Sequence, residues 1–300
     1  MPELPEVETI RLGLQRYLVG VKPRGGHATI RGKTIGNIEI RIPKIFIGDK
    51  KNVIGAKIVG LKRIGKGLII ELDNDYVLAV HLKMTGQLIY SDSKTKNLTL
   101  SPKIGGTALP SKYSHVIFSL DNGGFLYYND LRQFGWIKVV KKNELMQIPF
   151  FKEMGPEPLV ASSSGQAHLT LELFKKIVLS SNVAIKVLLM DQKKIGGVGN
   201  IYANDSLFDS GIMPSRKAKN LADNEIKRLY DSLLKVLKKS LEHGGSSDEN
   251  FVNALGQEGN YQKHALVYGK EDEPCKICKT PIEKIKLGGR GTYFCENCQK

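Results

Sequence analysis

The sequence predicts an α+β chain with three successive parts: an N-terminal helix leading into a β-sandwich, a helical second half, and a terminal metal-binding hairpin. Three observations carry this reading. Apolar residues alternate with a period of two between about Lys33 and Lys141, the signature of half-buried strands. The period changes to three and four beyond residue 167. All four cysteines lie between Cys275 and the end of the chain, as two CxxC pairs.

The first element is helical because Val7, Ile10, Leu14 and Tyr17 recur at helical spacing, with Pro5 near its start and Gly20 just past its end. Glu6 and Glu8 fall in the first turn, where the helix dipole favours negative charge. Eight strands are expected at 35–41, 57–63, 67–72, 76–82, 86–91, 114–120, 124–129 and 134–140, with a hairpin turn at the DNGG of 121–124. Many short strands joined by turns point to a sandwich. The polar stretch 92–113 interrupts them and reads as a surface loop, mobile without a ligand.

Residues 1–150 form the expected first domain, and 151–166, with two prolines and a serine cluster, the linker. Helices follow at 169–180 and 184–192, then a glycine-rich IGGVGN turn at 195–200 and a short helix ended by Gly211. A long amphipathic helix carries Ile226, Tyr230, Leu233, Leu237 and Leu241 on one face and stops at Gly244–Gly245. The helical domain spans 167–261 and the terminal module 262–300.

A chain with 45 Lys and Arg against 30 Asp and Glu carries a formal charge of +15. Such a field draws polyanions, and nucleic acid is the natural partner. No apolar run is long enough to span a bilayer, and the acidic, proline-rich start is not a leader, so a cytosolic or nucleoid-bound protein is expected. Nothing points to association beyond a monomer.

Cys275 and Cys278, like Cys295 and Cys298, are two residues apart, and sixteen residues separate the pairs. Four thiolates complete a closed tetrahedral site, so one structural Zn2+ is expected on a ribbon hairpin. The other reading, two redox pairs, lacks a nearby βαβ pattern. Arg290, set among Gly288, Gly289 and Gly291 at the hairpin turn, can grip a phosphate bidentately or simply be solvated.

MPELPEVETI at the start, LKRIGKGL at 61–68, HLKMTGQL at 81–88, DLRQFG at 130–135, GVGNIYANDSLF at 197–208 and the cysteine ribbon together resemble the bacterial formamidopyrimidine-DNA glycosylases over nearly the whole chain. The resemblance implies a helix-two-turn-helix second domain and a bifunctional glycosylase and lyase of base excision repair. Its substrate would be double-stranded DNA carrying oxidised purines or abasic sites. It implies Pro2 as nucleophile once Met1 is removed, Glu3 for proton transfer, and Glu6 as support for the sugar or terminus. Lys66 would touch phosphate and supply the β-elimination proton, and Arg290 would grip phosphate and assist δ-elimination. Met84, Arg132 and Phe134 match void-filling residues, while His81, His115, Lys186 and Asn200 match DNA contacts.

The chemistry suits a terminal proline. An α-amino group has a reference pKa near about 8 against about 10.4 for lysine. An iminium formed from a secondary amine has no N–H to lose, so it stays cationic and serves as an electron sink. Two departures from the family stand out: Ser181 replaces a common lysine, and 92–113 lengthens a loop. The segment from Gly244, which resembles the lesion-capping loop, is unusually acidic at Asp248 and Glu249. Two alternatives remain at this stage: an endonuclease VIII-like preference for oxidised pyrimidines, which Leu4 and the Arg132/Phe134 pair oppose, and a non-catalytic DNA-binding protein.

Overall fold

The computed structural model describes residues 1–20, 32–159 and 167–300. It divides into two compact units, Met1–Lys152 with His243–Asn260, and Glu153–Glu242 with Tyr261–Lys300.

The first unit opens with α1, Leu4–Leu14, which continues as one π-helical turn over Gln15–Val19 and ends at Gly20 with φ 93°. Extended Glu3 caps it, and Glu3 and Glu6 exchange side-chain-to-backbone bonds as a capping box. One face of the helix is pinned to the strands by charge. Arg63, almost fully buried, donates to Glu8 Oε2 at 3.0 Å, and Arg11 bonds the same carboxylate.

All eight expected strands are present. The four-stranded sheet runs β1 (Ile35–Ile40), β7 (Ser114–Leu120), β8 (Phe125–Asp130), β6 (Gly86–Ser91). The second sheet runs β2 (Phe46–Ile47), β9 (Trp136–Lys141), β5 (Tyr76–His81), β4 (Gly67–Leu72), β3 (Ile58–Ile64). Neighbours are antiparallel except the short β2, which lies parallel to β9. Alternation along each strand sends Ile38, Leu88, Val116 and Leu126 from one sheet, and Leu61, Ile70, Leu78 and Ile137 from the other, into one core with Ile10 and Leu14 of α1. Each such side chain contributes about 1.5–3 kcal/mol by leaving water. A short helix, α2 (Pro149–Lys152), closes this unit.

Two expectations are revised here. Residues 243–260, expected in the helical domain, pack in the first unit instead: Phe251 and Ala254 join the sandwich core, and Gly13 of α1 leaves the space Ala254 occupies. The 92–113 stretch is no bare surface loop, because it buries Ile104 completely and carries its own hydrogen bonds. Of the expected linker, 160–166 lie outside the described residues, and Glu157 before them is fully buried in the second unit, its amide bonded to Ala167.

The second unit is helical: α3 (Leu171–Leu179, capped by Thr170), α4 (Ile185–Met190), α5 (Asn200–Asp209) and α6 (Asp223–Glu242). Phe174, Leu188, Tyr202, Leu229 and Leu233 form its core. Gly211, at φ 70°, follows α5 and Gly244 follows α6 in the same left-handed conformation, as the sequence predicts. Buried Asp205 knots α5 to the chain entering the ribbon. Its carboxylate takes the amides of Leu266, Val267 and Tyr268 and the Tyr261 hydroxyl. The ribbon is the hairpin of β10 (Glu283–Leu287) and β11 (Arg290–Phe294).

Candidate active site and nucleic-acid interface

Pro2, Glu3 and Glu6 are all buried at the start of α1. Glu6 organises them. Its Oε2 accepts the Glu3 amide at 2.8 Å, and its Oε1 accepts the Ser246 amide at 2.8 Å. One carboxylate thus fixes the chain direction beside Pro2 and ties it to the segment following α6. The Pro2 nitrogen is in amide linkage to Met1, whose ammonium contacts Glu249 Oε2 at 2.8 Å. Nucleophilic chemistry at Pro2 therefore requires loss of Met1.

Three tight turns of the same unit carry the next group. Lys66 sits in the β3–β4 turn, after Gly65 at φ 58°. It is buried, and its charge reaches His81. Burial first, then Lys83 and Lys66, pull His81 down to about 3. His81 is therefore a neutral ring at physiological pH; its Nδ1 accepts the Lys83 amide at 2.9 Å, which leaves the proton on Nε2. His115 is also buried, with Nε2 2.8 Å from the Asp130 carbonyl, so that nitrogen donates. Neither histidine is open to solvent; what His81 can offer a substrate is a neutral donor.

The void-filling candidates sit on two neighbouring turns. Phe134 is 56% exposed, the Arg132 guanidinium stacks 4.8 Å above its ring, and Met84 is half-buried on the neighbouring turn. Both turns hold a non-glycine residue at positive φ, Lys83 at 51° and Gln133 at 56°, a conformation that persists only where the surroundings enforce it. The enforcing pair is Thr85 and Asp130. Thr85 Oγ1 donates to Asp130 Oδ1 at 2.5 Å and accepts the Arg132 amide at 2.9 Å, while Asp130 Oδ2 takes the Gly135 amide at 2.8 Å. Sequence reasoning missed this pair: an Asp after a strand looks like any turn residue, and only its burial distinguishes it.

In the second unit, Arg290 is exposed at the ribbon turn, which Gly288 and Gly289 make at φ 58° and 75°. Two expected DNA contacts lie behind that turn. Lys186, fully buried, donates to the Gly291 carbonyl at 2.8 Å and to Thr292 Oγ1 at 2.7 Å; Asn200, at the start of α5, donates to the same carbonyl at 3.1 Å. They hold the hairpin that presents Arg290.

The four cysteine sulfurs lie within 4.8 Å of one another, with Cys275–Cys298 at 3.8 Å and Cys278–Cys295 at 3.4 Å. Four sulfurs at about 2.3 Å from one ion, arranged tetrahedrally, stand about 3.8 Å apart, so the set fits one zinc. The ribbon's own buried core is small (Val267, Ile282 and the cysteines Cys275 and Cys295, packed with Phe208 of α5), and the metal supplies what that core lacks.

A four-thiol ribbon, a glycine-rich turn between two helices and a buried proline at position 2 beside two carboxylates define a zinc-ribbon, helix-two-turn-helix protein. Family models agree along the chain: the formamidopyrimidine-DNA glycosylase N-terminal domain over 1–137, its H2TH domain over 154–251, and the zinc finger found in FPG and IleRS over 272–300. The formamidopyrimidine-DNA glycosylase of Pelotomaculum thermopropionicum is 39% identical, across 100% of this chain and 99% of its own. That of Listeria monocytogenes is 37% identical, across 100% of both. Among solved structures, the Thermus thermophilus MutM (Fpg) protein superposes with a TM-score of 0.81 at 33% identity, covering 99% of this chain and 98% of its own. The Lactococcus lactis Fpg bound to DNA with an abasic site also gives 0.81 at 33%, covering 99% of each. The chain belongs to the formamidopyrimidine-DNA glycosylase family. Among the described residues, no helix is long and apolar enough to cross a membrane.

Proposed function

We propose that the chain, once Met1 is removed, excises oxidised purines such as formamidopyrimidines and 8-oxoguanine from double-stranded DNA and then cleaves the strand at the resulting site. The observation that carries this is the Glu6 bridge, which holds the terminus beside Pro2 in one orientation. The damaged nucleotide must leave the stack for an amine to reach its C1′. The Pro2 nitrogen then bonds to C1′ as the C1′–base bond breaks, and Glu3 manages the protons of base departure and ring opening. The iminium withdraws electrons so that a C2′ proton is lost and the 3′ phosphate leaves, followed by the 5′ phosphate. Lys66 and Arg290 serve those eliminations and hold phosphates.

Phe134 and Met84 fill the vacated step and Arg132 faces the orphaned base. Lys186 and Asn200 keep the ribbon hairpin in place, His81 offers its Nε2 donor, and His115 steadies the strand end at Asp130. Zinc supplies folding energy to the ribbon and takes no part in bond breaking. The protein acts as a monomer in the cytosol, on nucleoid DNA. Strand cleavage on duplexes holding formamidopyrimidine, 8-oxoguanine or an oxidised pyrimidine tests the reading. Cleavage confined to the pyrimidine duplex contradicts it.

A further inference from the structure

Residues 92–113, between β6 and β7, have no part in the chemistry above, yet they are built into the first unit. Asp92 starts the segment: its Oδ1 accepts the amides of Lys94 and Thr95 at 2.9 Å each, and its Oδ2 accepts the Tyr90 hydroxyl at 2.8 Å. Ser101 caps a 3-10 turn at Pro102–Ile104, and the Ser111 hydroxyl returns to the Ile104 carbonyl at 2.7 Å.

The attachments of this segment converge on residues 246–258. Ser101 Oγ donates to Glu258 Oε1 at 2.6 Å, and Lys103 Nζ reaches Glu258 Oε2 at 2.9 Å. The Ser101 amide bonds the Gly256 carbonyl at 2.8 Å, and the Lys103 ammonium also contacts the Ser247 carbonyl. The Gln87 side-chain amide bridges the carbonyls of Lys103 and Asn250, at 3.0 and 2.8 Å. Beneath these bonds Ile89, Ile104 and Val252 form a buried cluster, with Leu100 and Leu109 against it. A lone ion pair at this exposure would contribute little. Here the pair sits on an apolar base and shares its carboxylate with a hydroxyl, so the two segments are joined as one element.

Segment 246–258 in turn reaches the terminus, because the Ser246 amide holds Glu6. Lys103 grips the carbonyl of the very next residue. We propose that residues 92–113 are a brace that holds 246–258 in order beside the extruded base, with Lys103 and Glu258 as positioning residues for base excision. This rests on the reading that Pro2 attacks C1′, which brings the base alongside the segment pinned at Glu6. A loop free in solution loses conformational freedom when it closes over a nucleotide; a braced loop has already lost it. An abasic nucleotide has no base to enclose, so its cleavage does not draw on the brace.

The test uses the full chain processed to Pro2, as wild type, Lys103→Met, Glu258→Gln, and the charge swap Lys103→Glu with Glu258→Lys. Three quantities are read: single-turnover excision of formamidopyrimidine, cleavage of a preformed abasic duplex, and amide hydrogen exchange over 246–258. Each single variant is expected to excise about tenfold more slowly and exchange faster, with abasic cleavage within about twofold and the swap recovering most of the loss. Equal losses on both substrates overturn the proposal, since they mark damage to the terminus or to the fold. Unchanged excision overturns it too, whether or not exchange quickens. A wild type that cleaves the abasic duplex but excises no damaged base would instead sink the glycosylase reading beneath it.

Discussion

The Ser246 amide donates to Glu6 Oε1 at 2.8 Å, so the segment following α6 and the first turn of α1 share one buried carboxylate. The other oxygen of that carboxylate holds the Glu3 amide. Glu6→Gln keeps the shape but sets an NH2 group against one of two amide donors. Excision and abasic cleavage should both fall, by about ten- to a hundredfold, because the terminus loses its orientation. Undamaged-duplex affinity should change less than about threefold. Single-turnover rates beside a binding titration check this.

Phe134 and Asp130 separate display from support. Phe134→Ala removes an exposed ring, so stability should stay within about 0.5 kcal/mol while excision drops. Asp130→Ala strands the Thr85 hydroxyl and the Gly135 amide in the interior and should destabilise by about 2–4 kcal/mol. Urea unfolding read beside excision rates distinguishes the two.

Glu8 gives the fold an acid limit. Burial pushes its carboxyl up, but the Arg11 hydrogen bond and the Arg63 charge outweigh that and hold it below the ordinary 4.5. A depressed carboxylate contributes stability that is present above its unfolded value and lost as pH falls through its folded value. Glu8→Gln should therefore destabilise by about 2–4 kcal/mol at pH 7, with the gap to wild type closing as pH falls below 4.5. Denaturant midpoints for both proteins across pH 3 to 7 would show it, and a constant gap would contradict it. His81, at about 3, should add no titration to the activity profile between about pH 5 and 8.

The ribbon should hold one zinc per chain by elemental mass spectrometry. Cys298→Ser removes one ligand and should weaken duplex binding by about tenfold or more, because Arg290 loses its platform. A shallower salt dependence should accompany that loss. Unchanged affinity in a metal-free variant would contradict the structural role.

The legible parts of this fold are those with local causes. Alternation marked all eight long strands, glycines marked the ends of α1, α5 and α6, and cysteine spacing marked the ribbon. The two-residue β2 was not legible, because its only cause is β9 lying beside it. Residues 92–113 looked like solvent loop since Leu100, Ile104 and Leu109 follow no helical or strand period; their apolar partner, Val252, lies far along the chain. Candidate site residues stand out by type and motif, but their exposure does not. Lys186, His81 and His115 carry groups that suit DNA, and the structure buries all three. Asp130 and Asp205 were invisible for the opposite reason, as ordinary polar letters whose burial makes them organisers.

In the proposed reaction the terminal amine at Pro2 carries the covalent step. Borohydride reduction during reaction with a duplex containing 8-oxoguanine opposite cytosine, followed by peptide mapping, identifies the atom that bonds to the sugar. One DNA adduct is expected, on the Pro2 nitrogen, and it is lost when Met1 is retained. An adduct on Lys66 or any other lysine, or none from a chain confirmed to begin at Pro2, would contradict it.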